Sequence, residues 1–162
     1  MPTNYVKDPT SGAIVPWNGV QQEEDRGTPL FKTGQTRQYT ASLSGGRDLT
    51  RYYVSSQYEN DLGIEPNNSL RQFALHTNLN VAPTSKLDFG TSLNYVDLSA
   101  HLGADYGVSS MLGATVGHGL LFKAARGFYP NFAPEIPQQL YDNSQAVSRF
   151  TGSGTINHRP ID

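Results

Sequence analysis

The feature that most restricts the fold of this chain is the alternation of apolar and polar residues at 70–81, which is the clearest in the sequence. One side of this segment carries Phe73, Leu75, Leu79 and Val81, and the other carries Gln72, His76, Asn78 and Asn80. Successive side chains of a β-strand point to opposite faces of a sheet, so a period of two residues predicts a strand. The segment is about twice as long as the usual strand of a soluble protein, which is about 5–6 residues.

The same alternation predicts four further strands, at about 36–44, 50–58, 86–98 and 147–158. The strand at 86–98 has four apolar side chains on one side and three polar ones on the other. These are Leu87, Phe89, Leu93 and Tyr95 against Asp88, Ser92 and Asn94. Short turn-forming sequences at 45–48 and 82–85 alternate with longer connections at 59–68 and 100–146. The predicted fold is therefore all-β, an antiparallel meander of about five long strands.

The strand pattern divides the chain into four predicted regions. Residues 1–35 are rich in Pro, Gly, Asn and Asp, show no periodicity, and are predicted to be mostly irregular. Residues 36–99 hold the first four strands, 100–146 form a long loop, and 147–162 form the fifth strand and a turn. Within the long loop, residues 109–126 are predicted to form a short helix with Ser109 or Ser110 as its N-cap. That helix either packs over a binding site or only fills the loop.

Composition and side-chain spacing exclude several classes of function. The chain has a formal net charge of −2 and its 12 Lys and Arg are scattered, so no nucleic-acid partner is predicted. It has no Cys, and its four His lack metal-ligand spacing, so no metal site is predicted. No nucleophile, base and acid stand together in the pattern. The chain is therefore predicted not to be an enzyme and to need no cofactor.

Strand length and the position of the tyrosines favour strands that cross a membrane. A tilted transmembrane strand needs about 9–11 residues, and tyrosines are enriched at both membrane interfaces. Four tyrosines fall near strand ends on the apolar side: Tyr39, Tyr52, Tyr58 and Tyr95. Five strands cannot close a barrel that needs at least about eight, so the chain is expected to be part of a larger one. The alternative is a soluble antiparallel sandwich, whose strands also alternate.

Three stretches of the sequence resemble the SusC/RagA family of TonB-dependent outer-membrane transporters. They are LFKTG at 30–34, YTASLSGG at 39–46 and TRYYVSSQYENDLGIEP at 50–66. Two later stretches, RFTG at 149–152 and INHRP at 156–160, resemble a family strand that closes a long loop. The resemblance runs from about residue 29 to the end and is loose over 100–146.

The resemblance implies a 22-stranded barrel plugged by an N-terminal domain in the outer membrane of a Gram-negative-type bacterium. Such transporters import glycans or peptides with a SusD-like lid lipoprotein and energy from TonB. This chain would contribute barrel wall and substrate-facing extracellular loops, and its partners would be outer-membrane lipid and the remainder of the barrel and plug. Residues 1–35, 59–68 and 100–146 would be extracellular, and the turns at 45–48, 82–85 and 159–162 periplasmic.

The same topology assigns roles to individual side chains. Predicted to face the lumen are Gln72, His76, Asn78, Asp88 and Asn94. Predicted to face lipid are Phe73, Leu75, Leu79, Leu87, Phe89 and Leu93. In the alternative, a soluble all-β carbohydrate- or ligand-binding module, the second set would form a core instead.

A cluster of aromatic residues and a cation in the long loop is the candidate substrate-binding site. It consists of Arg126, Phe128, Tyr129 and Phe132. Aromatic faces stack on sugar rings or peptide side chains, and Arg offers a planar fork of donors. The competing interpretation is that these rings anchor the loop to its neighbours, because aromatic side chains bury well in any loop core.

Overall fold

The computed structural model describes residues 4–8, 10–103, 110–111, 113, 128 and 141–160. Its elements are β1 (Asn4–Lys7), β2 (Ile14–Trp17), α1 (Gly19–Asp25), β3 (Gln35–Arg47), β4 (Thr50–Leu62), β5 (Ser69–Thr84), β6 (Leu87–Leu102) and β7 (Asn143–His158). The chain divides into two compact units. The first comprises residues 1–35, 62–69 and 101–144, and the second, called here the sheet unit, comprises 36–61, 70–100 and 145–162.

The sheet unit is a five-stranded antiparallel meander in the order β3-β4-β5-β6-β7, which confirms the predicted fold class. The sheet is not closed, so β3 and β7 each have one strand neighbour among the described residues. Two-residue turns join β3 to β4 and β5 to β6 at one end of the sheet, called here the turn end. The longer connections, 63–68 and 103–142, leave from the opposite end, called here the loop end.

The strands are longer than predicted, and both tight turns are displaced from the predicted positions. The turns consist of Asp48–Leu49 and Ser85–Lys86, not of residues 45–48 and 82–85. Asp48 adopts a positive φ of 44°, a conformation that Asp tolerates better than most residues. Gly46 belongs to β3, and a Cβ there would lie 2.9 Å from the Cα of Arg51 on β4. The glycine at this position therefore permits close approach of two strands and does not form the turn.

Side-chain contacts between neighbouring strands define two faces of the sheet. Tyr53 contacts His76 with ring centroids 5.8 Å apart, and the Asn157 side chain donates to Asp88 at 2.7 Å. With the alternation along each strand, these contacts define a polar face that includes Gln72, His76, Asn78, Asp88 and Asn94. Phe73 contacts Tyr95 on the opposite, apolar face, which includes Phe73, Leu75, Leu79, Leu87, Phe89 and Leu93.

Residues 4–8 and 10–35, within the segment predicted to be mostly irregular, contain two short strands and a helix. β1 and β2 form an antiparallel hairpin in which Tyr5 lies opposite Pro16 and Lys7 opposite Ile14. Asp8 Oδ1 accepts hydrogen bonds from the Thr10 and Ser11 amides, an arrangement that stabilises the connecting turn. Strands of four residues are too short for a period of two to stand out in the sequence, which is why the hairpin escaped prediction.

Helix α1 follows the hairpin and has a defined cap at each end. The Asn18 side chain accepts a hydrogen bond from the Gln21 amide at its N-terminus. At its C-terminus Gly27 adopts a φ of 76°, and the Thr28 amide donates to the carbonyl of Glu23 at 2.9 Å. With only seven residues, this helix depends on packing against its surroundings more than on its own propensity.

A small hydrophobic core in the first unit draws on segments that are far apart in the sequence. Its buried members are Val6, Trp17, Leu30, Met111 and Phe128. Trp17 and Phe128 meet edge to face, with centroids 5.2 Å apart and an interplanar angle of 82°. Beside this core the Glu23 side chain is fully buried and accepts a hydrogen bond from the Thr28 hydroxyl at 2.8 Å. The pairing is required because an unpaired buried carboxylate would be strongly destabilising.

The long connection between β6 and β7 is described at a few positions only. Met111 and Gly113 are helical, and Ser110 Oγ accepts a hydrogen bond from the Gly113 amide at 2.8 Å. That bond is the one expected of an N-cap serine, one of the two that the sequence proposed for this position. Among the described residues, no helix has the length and hydropathy required to cross a membrane.

Candidate functional site

A hydrogen-bonded cluster occupies the polar face where β4, β5 and β6 run side by side. The side-chain amide of Asn78 donates to Nε2 of His76 at 2.8 Å, and Nδ1 of His76 is bonded to Oδ1 of Asn94. Because the amide can only donate and Oδ1 can only accept, the imidazole proton lies on Nδ1. The Tyr53 ring lies against the same imidazole. Both ring nitrogens are therefore engaged in hydrogen bonds, and the surface that results is polar.

A second polar group joins β6 to β7 near the turn end. Asp88 accepts hydrogen bonds from Asn157 at 2.7 Å and from the Arg159 guanidinium at 2.9 Å. The Arg159 side chain is 69% exposed, so solvent screens this ion pair and its contribution to stability is small. These bonds hold β6 to the end of β7, and the Arg159 cation lies beside the carboxylate of Asp88.

All five residues predicted to face a lumen lie on the polar face, and the six predicted to face lipid lie on the apolar face. Four of those six are about two-fifths exposed: Phe73 at 39% and Leu79, Phe89 and Leu93 at 40%. Larger exposed fractions occur on the edge strands, at 63% for Leu43 and 70% for Ile156. What surrounds the two faces, lumen or lipid, stays a prediction.

The aromatic cluster predicted in the long loop is described at one residue. Phe128 is 2% exposed and packs edge-on against Trp17 in the core of the first unit. In this structure its ring therefore anchors the loop, which is the competing interpretation of the cluster. Arg126, Tyr129 and Phe132 lie outside the described residues.

The first unit contains an open cleft that the sequence did not reveal. It has a volume of about 400 Å³ and is lined by Lys32, Leu62, Pro66, Asn67, Ser69, His101, Leu102, Tyr141 and Asp142. Lys32 is held in place because its ammonium group donates to the Pro66 carbonyl at 3.0 Å. The lining combines one cation, one anion, a phenol and an imidazole with three apolar side chains. Such a surface can bind a polar ligand that presents one apolar side.

Two stretches on which the family resemblance rests meet beside this cleft. The Lys32 amide donates to the Ile64 carbonyl at 2.8 Å, and this bond connects LFKTG at 30–34 to the Gly-Ile element at 63–64. A Cβ on Gly34 would lie 3.2 Å from the Ile64 side chain, so little space remains for a larger residue. The sequence contains both motifs but does not show that they touch, so it gave no signal for the cleft.

The described residues contain no cluster of three or more His, Cys, Asp or Glu side chains arranged to hold a metal ion. The candidate site therefore consists of the polar face of the sheet unit and, separately, the cleft of the first unit.

No family model matches this chain, and the searches of curated proteins and of solved structures found no match.

Proposed function

We propose that this chain forms part of the wall of a large outer-membrane β-barrel, a transporter of the SusC/RagA type that imports glycans or peptides. The observation that carries the proposal is a long-stranded sheet with one exposed apolar face and one hydrogen-bonded polar face. In a soluble protein the apolar face of a sheet is covered by a second layer. On the edge strands of this sheet Leu43, Phe150 and Ile156 are each at least 63% exposed.

The spacing of charged residues along β3 supports a membrane location. Arg37 and Arg47 both lie on the apolar side of β3, ten positions apart, and the side chains between them on that side are Tyr39, Ala41, Leu43 and Gly45. Ten residues of strand measure about 33 Å, which corresponds to a height of about 25 Å at the tilt of about 40° found in such barrels. That height matches the apolar band of about 25 Å on outer-membrane barrels.

The polar face supports the assignment of a lumen. The lumen of a transport barrel is polar, and the cluster of Tyr53, His76, Asn78 and Asn94 offers a solute polar partners. The cleft of the first unit, formed by connections between strands, is the proposed extracellular contact with the substrate. The remainder of the barrel, its plug, a SusD-like lid lipoprotein and TonB would be the partners of this wall.

The second function considered from the sequence was a soluble ligand-binding module that uses the aromatic cluster. Two observations weigh against it. Phe128, a member of that cluster, is buried in a core, and apolar side chains across the sheet are exposed. A soluble module would instead bury its apolar strand faces and expose its binding rings.

Lipid contact can be tested with two neighbouring residues of β6 that lie on opposite faces. Trp17, the one tryptophan of the chain, is first replaced by Phe, and a new tryptophan is placed at Leu93 or at Ser92. The proteins are assembled with the remainder of the barrel, made without tryptophan, in phosphatidylcholine vesicles whose acyl chains carry bromine, which quenches nearby indole fluorescence. We expect strong quenching of Leu93→Trp and weak quenching of Ser92→Trp. A chain that folds in buffer without lipid, with neither tryptophan quenched, would refute the proposal.

A further inference from the structure

We propose that the apolar face carries a binding site for the phosphate group of an anionic lipid, formed by Arg37 and Arg71 at the loop end of the sheet. This inference rests on the proposed membrane location and adds to it a specific class of lipid partner. Its basis is the position of two arginines on a face that is otherwise apolar.

The two arginines occupy equivalent positions on strands that flank β4. Arg37 is the third residue of β3 and Arg71 the third residue of β5, and both are exposed. Between them, Asn60 is the third residue from the end of β4 and lies on the same face. Neighbouring strands are about 4.8 Å apart, so the two arginine backbones are separated by about 10 Å. Two extended guanidinium side chains span that gap when both turn toward a shared anion.

Aromatic side chains lie one step deeper on each of these three strands. Two residues further from the loop end, on the same face, are Tyr39, Tyr58 and Phe73. Their exposed fractions are 64%, 39% and 39%. Aromatic residues of this kind mark the level of the lipid headgroups in outer-membrane barrels. The arginines beyond them would thus lie at the depth of the lipid phosphates.

Charge is distributed unevenly between the faces at this end of the sheet. Glu59 and Asp61 of β4 point to the polar face, away from the two arginines. One acid, Asp97 of β6, lies on the apolar face and accepts a hydrogen bond from Tyr95 at 3.4 Å. Among the described residues, neither Arg37 nor Arg71 forms an ion pair.

The chemistry of arginine accounts for the choice of a phosphate-bearing lipid. The guanidinium group is planar, remains charged, and donates two parallel hydrogen bonds to phosphate oxygens. A soluble anion would also satisfy that chemistry, but it gains nothing from the apolar and aromatic surface below. A lipid satisfies both, because its headgroup meets the arginines while its acyl chains cover the rings.

The test compares two double variants that remove the same charge from opposite faces. Three proteins are compared: the parent chain, Arg37→Gln/Arg71→Gln and the control Arg51→Gln/Arg149→Gln. Each is assembled with the remainder of the barrel in vesicles of equal parts phosphatidylcholine and phosphatidylglycerol. Each protein is then extracted in mild detergent and its retained lipid is identified by native mass spectrometry. Each arginine near the surface favours an anionic lipid about fivefold, so two give about a 30-fold preference for phosphatidylglycerol. We expect the parent and the control to show this preference and the Arg37/Arg71 variant to lose it.

Each alternative outcome has a distinct meaning. Equal loss in both double variants would point to general electrostatic attraction and overturn the site. If inorganic phosphate in the buffer suppresses the preference for phosphatidylglycerol, the two arginines bind a soluble anion, and the proposal of a lipid site is overturned. Quenching of Leu93→Trp by brominated lipid together with no headgroup preference would overturn this inference alone. If neither the quenching of Leu93→Trp nor the headgroup preference is observed, the proposed function is overturned as well.

Discussion

A lysine introduced in the middle of the apolar face should be far more destabilising than a lysine near the turn end. The test positions are Leu93 and Phe89, which lie on the same face of β6 and are both 40% exposed in the structure. Leu93 is near the middle of the apolar band and Phe89 is close to the turn end. If protein burial determined the effect, the two substitutions would be about equal, because the exposed fractions are the same.

Bilayer depth predicts a different ranking from protein burial. A lysine on the lipid face costs about 2–4 kcal/mol at the midplane and about 0–1 kcal/mol near the interface. We therefore expect Leu93→Lys to lower the free energy of unfolding by about 2–4 kcal/mol relative to Leu93→Ala. Phe89→Lys should lower it by about 1 kcal/mol or less relative to Phe89→Ala. Reference to alanine at each position removes the difference in size between Leu and Phe.

The assay is equilibrium unfolding by guanidinium chloride, followed by far-ultraviolet circular dichroism, of the chain assembled with the remainder of the barrel in phosphatidylcholine vesicles. Ser92→Lys, on the polar face of the same strand, is the control and should change the free energy of unfolding by less than about 1 kcal/mol. Equal effects at positions 89 and 93 would refute the argument from depth. So would a large effect of Ser92→Lys, since the polar face would then be the one in contact with lipid.

Three further substitutions test the packing of each unit. Gly19→Ala should lower stability by about 1–2 kcal/mol, because its Cβ would lie 2.6 Å from the Trp17 ring and overpacking costs about 1–3 kcal/mol. The assay is urea unfolding followed by Trp17 fluorescence. An unchanged unfolding curve would contradict the close contact between Gly19 and that ring. Phe128→Ala should cost about 3–5 kcal/mol in the same assay, and a loss below 1 kcal/mol would mean that its ring is not in the core. Arg159→Gln should cause only a small loss of stability, because the bond to Asp88 is screened by solvent, and this loss should shrink further as salt concentration rises in urea titrations.

The sheet was predictable because its side chains face two different environments. That difference leaves a period of two residues in the sequence, which identified all five strands and sorted residues such as His76 and Leu93 onto the correct sides. The strand ends were missed because alternation fades there. The turn was misplaced at 45–48 because two consecutive glycines usually signal a turn, whereas Gly46 serves the close approach of β3 and β4.

The first unit was not predictable by the same means. Its core joins residues from β1, β2 and the long connection, and no local pattern links Val6 or Trp17 to Phe128. The cleft likewise depends on contacts between separate segments, of which the bond from Lys32 to Ile64 is one. Periodicity reports on a single element, so a site assembled from several loops leaves little trace in the sequence.

The unequal connections between strands set an expected order of folding. The two-residue turns make the β3–β4 and β5–β6 hairpins local, and hairpins form in about 1–10 μs. β7 reaches β6 only after a connection of about 40 residues, and closing a loop of that length costs about 2–3 kcal/mol more entropy than closing a two-residue turn. The hydrogen bond between Asn157 and Asp88 would therefore form late, and β7 would be the last strand to join the sheet.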